Sequence, residues 1–289
     1  MGTGVNNAGV FDQAWAVKLQ EMLDEPTNFK EICSVVYEDR QVFNNPYLTD
    51  PTVQTGQRGT PYTPQAVVQT NESVTINQFK ILPQLIDRAD LAQSSYLNQM
   101  ELAKRQGILL NEQLETAVYA DHTNWTNFGA GDITGGTVAD STTITVSASN
   151  IDDIVRHVKR VIRVANGEGK LEANGGFVVW RPADFELLEG FVQANGFVQA
   201  DLGLRAGVKR GLEYMGLTHY HSNFLAANHD FAGVKKLHFL YLLRATYGQI
   251  VIDDKDPGQV SGVSITSRVD YQVKTWTNFK PVLLDINVV

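Results

Sequence analysis

The sequence predicts an α+β fold, and three observations carry that prediction. Apolar or small residues recur at Ala89, Ala92, Tyr96, Met100, Ala103, Gly107, Leu110, Leu114 and Ala117, steps of three and four that share one face of a helix. Val269, Tyr271 and Val273, then Val282, Leu284, Ile286 and Val288, alternate with other residues as strands do. Between the N-terminal region and the helical stretch lies NNPYLTDPTVQTGQRGTPYTP, whose prolines at 46, 51, 61 and 64 forbid a helix and discourage a central strand.

The chain has 289 residues, enough for one large domain or two smaller ones with a sizeable core. Its apolar content of 43% and charged content of 19% are those of an ordinary globular protein. The net charge of -8 excludes an overall basic nucleic-acid binder, so a polyanion would have to meet a local patch. One cysteine, Cys33, leaves no partner for an intrachain disulfide and no cysteine-rich zinc site. No apolar run approaches the ~20 residues of a membrane helix. The opening MGTGVNNAGVFDQ lacks a secretory pattern, and Asn6 stands where a myristoylation signal needs Ser or Thr.

In chain order, residues 1–9 read as a flexible arm. Phe11 to Asp24 reads as a short helix on which Phe11, Trp15, Leu19, Met22 and Leu23 share a face, with Pro26 after its end. That stripe needs a surface to dock on, either its own domain or a neighbouring subunit. Glu31 to Phe43 is rich in Val and Tyr and reads as strand. Gln65 to Ile81 returns as strand, Val74 and Ile76 in one phase and Phe79 and Ile81 in the next, as a bulge would leave them. The whole is a long hairpin with a large irregular tip and too few apolar residues for a core of its own.

The helix is expected over 87–120, capped by Asp87, with Gly107 its weak point at about 1 kcal/mol against Ala. Such a helix would be roughly 50 Å long at 1.5 Å per residue. Thr142 to Val146 alternates as a strand. Ser149 or Asn150 caps the next helix, which runs to Val164 and buries Ile151, Ile154, Val155, Val158, Val161, Ile162 and Ala165. Its other side carries Arg156, Lys159, Arg160 and Arg163, a single-signed face suited to a polyanion or to paired acids such as Glu186 and Glu189. After a glycine-rich loop at 166–176, a short strand at 177–180 and a helix opened by Pro182 are expected. Residues 211–225 read as strands, 237–253 fit either period, and two strands close the chain.

No motif carries catalysis. Gly167-Glu-Gly169-Lys170 lacks the leading glycine and the closing Ser or Thr of a phosphate loop. Gly262-Val-Ser264-Ile-Thr266 lacks the closing glycine of a nucleophile elbow. His219 and His221, two apart in a strand, could share a metal, but a pair of half-buried structural histidines accounts for them as well.

The order of parts, with KILPQLIDRADLAQSSYL leading into the long helix, resembles the tailed-bacteriophage major capsid protein of the Hong Kong 97-like fold over nearly the whole chain. The resemblance implies an N-arm at 1–30 and an extended E-loop hairpin at 31–82. It implies a P-domain at 83–149 and 263–289 with a long spine helix, and an A-domain at 150–262. It implies no enzyme activity, no cofactor and no catalytic or metal residue. The expected work is self-assembly, through hexamers and pentamers, into an icosahedral head shell around packaged double-stranded DNA. Expected partners are further copies of the chain, a portal and a separate scaffolding protein, with DNA held non-specifically and no membrane; the place is the virion, assembled in the host cytoplasm. Intersubunit contacts are expected from Phe11, Trp15, Leu19, Tyr47, Leu48, Arg58 and Tyr62, and DNA-facing charge from Arg156, Lys159, Arg160 and Arg163. No lysine occurs between Glu31 and Phe79, so the lysine crosslinks of some family members are not expected. An encapsulin-type nanocompartment shell and an enzyme with a mobile lid at 44–64 are the alternatives.

Overall fold

The architecture is two sheets with a long helix between them and a second helical layer outside. The structure, a computed structural model, describes residues 16–23, 27–48, 52–59, 61, 63–87, 96–135, 139–195, 212–255 and 262–289.

One sheet has five strands: β1 (Ser34–Glu38), β10 (Phe239–Leu243), β12 (Gly262–Lys274), β11 (Gln249–Lys255) and β4 (Gln78–Asp87). β12 is long enough to take β10 and β11 along one edge and β4 along the other. The second sheet has six strands in the order β5 (Thr126–Phe128), β13 (Leu283–Asn287), β9 (His229–Val234), β6 (Gly176–Trp180), β8 (Leu217–His221) and β7 (Leu212–Tyr214). β2 (Val42–Leu48) and β3 (Gln69–Thr75) form a separate two-stranded ribbon. The sheets draw strands from distant segments, which is why neither is visible as a contiguous stretch of sequence.

The six-stranded sheet is buried on both faces. Val178, Trp180, Ala232, Leu284, Ile286 and Val288 pack under the helices Ile151–Val164 and Pro182–Ala194. Phe177, Val179, Tyr220, Phe231 and Leu283 point the other way, into a core shared with the long helix and with Leu240, Leu242, Val269, Tyr271 and Val273 of the five-stranded sheet. β13 therefore buries both its phases, Leu283 as completely as Leu284. A central strand with both faces covered loses polar alternation.

The long helix is Tyr96–Ala120, 25 residues, roughly 37 Å at 1.5 Å per residue. Ala103, Leu110, Leu114, Val118 and Tyr119 are buried, close to the expected face. The expected helical reading of its approach is corrected: Pro83 to Asp87 belongs to β4 and pairs with β12 from Gly262 to Thr266. PQLID carries apolar residues too few to fix a period, and the long-range pairing decides. Ala89 and Ala92 lie outside the described residues.

Four further expectations change. Glu31 to Phe43 is not one strand: Asn28–Ile32 is a turn of helix, β1 follows, and residues 39–41 break before β2. The phase shift near Asn77 is no bulge but the boundary between β3 and β4, which pair with different partners. Thr142 to Val146 makes only a single bridge, Ile144 to Val288, because Asp140 turns the chain to hold Gly131 and Thr142 instead. The helix over 151–164 starts where expected, yet Asn150 caps nothing: its side chain accepts from Ser147 N and donates to Thr145 O.

Gly107 is not a weak point. A Cβ there would lie 2.5 Å from Met22 Cβ, so the glycine is what lets the helix at 16–23 lie against the long helix. Asn111 Nδ2 donates to Met22 O at 2.6 Å across the same contact. Leu19 and Leu23 are wholly buried there, in the chain's own core.

Candidate assembly and nucleic-acid interfaces

The ribbon is fastened at its foot and bare elsewhere. Val74 and Ile76 are buried against Tyr241, Leu243 and Trp276, with Phe43 beside them. Glu72 accepts hydrogen bonds from Thr277 N, at 3.2 Å, and from Thr277 Oγ1. Its carboxyl lies below the usual range, because those bonds and Lys274 and Lys280 outweigh the desolvation that opposes them. Beyond the foot, every residue whose exposure is described over 52–69 is exposed, Val53 at 93% and Val67 at 79%. Two strands alone are not independently stable in water, and apolar side chains this bare gain nothing from their own domain.

A second bare surface lies on β4. Phe79, Ile81 and Leu85 are about half exposed on its outer face, while Leu82 turns in against the core. Ile108 and Leu109 of the long helix are also exposed, and Ile81, Leu82, Leu109 and Leu110 line one shallow groove with Lys80 and Gln113. Large apolar residues grouped in this way mark contact surfaces more often than scattered ones do.

The basic helix presents Arg156 and Arg163 outward, 60% and 53% exposed at their side chains. Each has a local partner, Asp153 for Arg156 and Glu168 for Arg163 at 3.3 Å. Lys159 Nζ donates to Met215 O at 2.7 Å, and Arg160 donates to Asp132 O. The paired acids are thus neighbours in sequence, not Glu186 and Glu189. Exposed pairs of this kind are each worth about 0–1 kcal/mol, so Arg156 and Arg163 can exchange partners cheaply.

Of the expected intersubunit residues, Phe11, Trp15 and Tyr62 lie outside the described residues. Tyr47 and Leu48 pair in register with Thr70 and Gln69, on the ribbon. Arg58 is exposed at the tip turn. Leu19 departs from the expectation, since the subunit's own core encloses it completely, beneath the long helix.

The rejected motifs resolve into packing. Gly167 precedes a short helix, Glu168–Asn174, and Lys170 lies over the Phe279 ring at 5.2 Å. His219 is fully buried, accepts from Trp180 Nε1 at Nδ1 (2.9 Å) and lies 3.2 Å from Tyr214 O through Nε2. Burial holds its pKa down to about 4, partly offset by the Tyr214 carbonyl, so it is a neutral structural residue. His221 is exposed, its ring 5.2 Å from that of Phe185 and tilted to it.

Sequence reasoning missed one constellation. His122 follows the long helix, His229 opens β9 and Asp285 lies within β13. Asp285 Oδ2 is 3.0 Å from His122 Nδ1, and Asp285 Oδ1 is 2.7 Å from His229 Nδ1. The nearest two of these residues are 56 apart in the chain. No local spacing could have revealed them.

This arrangement of sheets, spine helix and ribbon is the Hong Kong 97-like capsid fold. A solved chain of Mycobacterium phage Che8 superimposes with a TM-score of 0.60 at 16% identity, over 86% of this chain and 85% of that one. A chain of the mature capsid of bacteriophage PhiM1 gives 0.61 at 13% identity, over 91% and 87%. A virus-like particle from Pyrococcus furiosus gives 0.57 at 11% identity, over 95% and 98%. No protein-family model and no curated protein matches the chain.

Proposed function

We propose that the chain is the major capsid protein of a tailed phage, a structural protein whose copies assemble into the icosahedral shell around packaged double-stranded DNA. The ribbon carries this reading: an arm anchored at its foot and exposed along its tip belongs on another subunit. The fold agreement over nearly the full length of capsid chains supports it. In this reading residues 1–30 are the N-arm, 31–82 the E-loop, 83–149 and 263–289 the P-domain, and 150–262 the A-domain. The ribbon of one subunit, with Tyr47, Leu48, Arg58 and Tyr62, crosses the neighbour's P-domain and the root of its E-loop, where Phe79, Ile81 and Leu85 of β4 offer an apolar face. Phe11 and Trp15 pack between subunits. The basic face of Arg156, Lys159, Arg160 and Arg163 looks into the shell, where DNA phosphates attract it without reading sequence. Hexamers and pentamers, a portal and a scaffolding protein complete the assembly, which takes place in the host cytoplasm and ends in the virion.

A nanocompartment shell holding a protein cargo is the second reading, favoured by the likeness to the Pyrococcus furiosus particle over 98% of that chain. Contents decide. Particles purified from infected cells should contain nuclease-protected double-stranded DNA; shells filled with one protein and no DNA support the second reading.

A further inference from the structure

We infer that His122, His229 and Asp285 form a binding site for a zinc-class divalent cation. One donor atom from each residue lies within 4.8 Å of a donor atom of each of the others. Tetrahedral zinc, with bonds of about 2.0–2.1 Å, places its ligands roughly 3.4 Å apart, so the Asp285–imidazole contacts at 3.0 and 2.7 Å need only open slightly to admit the ion. Two imidazoles and a carboxylate are the ligand types that such ions take, and three protein ligands leave a fourth position for water.

The geometry says more than that three polar groups are near each other. Both imidazoles aim Nδ1 at the same carboxylate, one at each oxygen, and the two rings lie 4.4 Å apart at 42°. Asp285 is held at the centre with only 4% of its side chain exposed, while His122 and His229 keep 14% and 24%, an entry from solvent. Phe231 stacks on the His122 ring at 5.4 Å and fixes its orientation. Asn287 faces the same way as Asp285 on β13, opposite His229 in the register, and its amide nitrogen is buried without a partner. Each imidazole Nδ1 lies within hydrogen-bond distance of one oxygen of this carboxylate. A divalent ion bound by the Nδ1 lone pairs of both rings, each ring keeping its proton on Nε2, and by a carboxylate oxygen would compensate the buried carboxylate charge.

The placement gives such an ion a role. It would tie the turn after the long helix, at His122, to the neighbouring strands β9 and β13 of the six-stranded sheet. The two helix-to-sheet layers would then be joined by coordination rather than by packing alone. This inference stands apart from the shell reading and can be tested on unassembled subunits.

The test uses the full chain, free of affinity tags, stripped with a chelator and dialysed. Equilibrium dialysis with zinc(II) alone should give one ion per chain, and cobalt(II) should give the intense visible absorption of a tetrahedral site. His122→Gln and His229→Gln, chosen because both side chains are partly exposed, should each weaken zinc binding by on the order of 100-fold or more. Chelated wild-type protein should melt at a lower temperature than zinc-loaded protein, and the variants should show no such difference. Sub-stoichiometric zinc uptake by wild-type chain, a weak octahedral cobalt spectrum, or variants that bind as well as wild type would overturn the inference. Should a variant fail to fold, the cobalt spectrum and zinc stoichiometry of the wild-type chain decide alone.

Discussion

At the scale of single residues, two positions separate competing effects. Gly107→Ala should gain about 1 kcal/mol from helix propensity. The new methyl, 2.5 Å from Met22 Cβ, costs more, typically 1–3 kcal/mol for overpacking. The expected result is a net loss in urea unfolding, whereas Gly190→Ala, with open space around it, should be neutral or stabilising. A stabilised Gly107→Ala would show that the helix at 16–23 does not lie where described. His219 sets a pH dependence. Its folded pKa is depressed to about 4 from 6.5, so its stabilisation is present above pH 6.5 and is lost as pH falls toward 4. Between pH 7 and pH 5 the loss is about 2 kcal/mol at 1.36 kcal/mol per unit. Asp230 works in the opposite direction, since burial and the nearby Asp184 raise its carboxyl and favour the folded state at low pH. His219→Gln isolates the imidazole: the difference between its urea stability and that of wild type should shrink by that amount at pH 5, and an unchanged difference would refute the assignment.

At the scale of elements, the ribbon and the basic helix carry the account. Replacing 49–68 by a short turn should leave the subunit's melting temperature nearly unchanged, because the apolar anchors Val74 and Ile76 remain and the tip is exposed. Shell formation should fail. Loss of cooperative melting would show that the tip belongs to the subunit's own core. Arg156, Lys159 and Arg163 changed together to Gln should leave empty shells intact but lower packaged DNA, most at low salt. Shells that no longer form would make the cluster an assembly contact. These elements differ in how far the sequence exposed them. The helix over 151–164 was legible to the residue, since its six buried apolar positions are local and strongly periodic. The face of the long helix was legible too, but the strand that precedes it was not. Whether Pro83 to Asp87 is helix or strand is settled by β12, nearly two hundred residues away. Residues 237–253 fitted both periods because β10 is buried on both faces, so alternation vanished. The partners of Arg156 and Arg163 were one turn away or at the start of the next helix, while charge alone also allowed Glu186 and Glu189. The His122, His229 and Asp285 group was invisible, because only the antiparallel pairing of β9 with β13, beside the turn after the long helix, assembles it.

At the scale of the whole molecule, the subunit is built from its own core outward to surfaces that its core does not use. The ribbon tip, the outer face of β4 and the basic helix are three such surfaces on one fold. With no lysine from Glu31 to Phe79, mature particles boiled in detergent should run as single chains on a denaturing gel, and a ladder of covalent oligomers would contradict this. The central claim is that these surfaces meet on other copies. Its most direct test is sedimentation and electron microscopy of the chain produced at high concentration, alone and with a co-produced candidate scaffolding protein. The account expects closed shells of uniform size. Only a compact 32.0 kDa monomer under both conditions would contradict it.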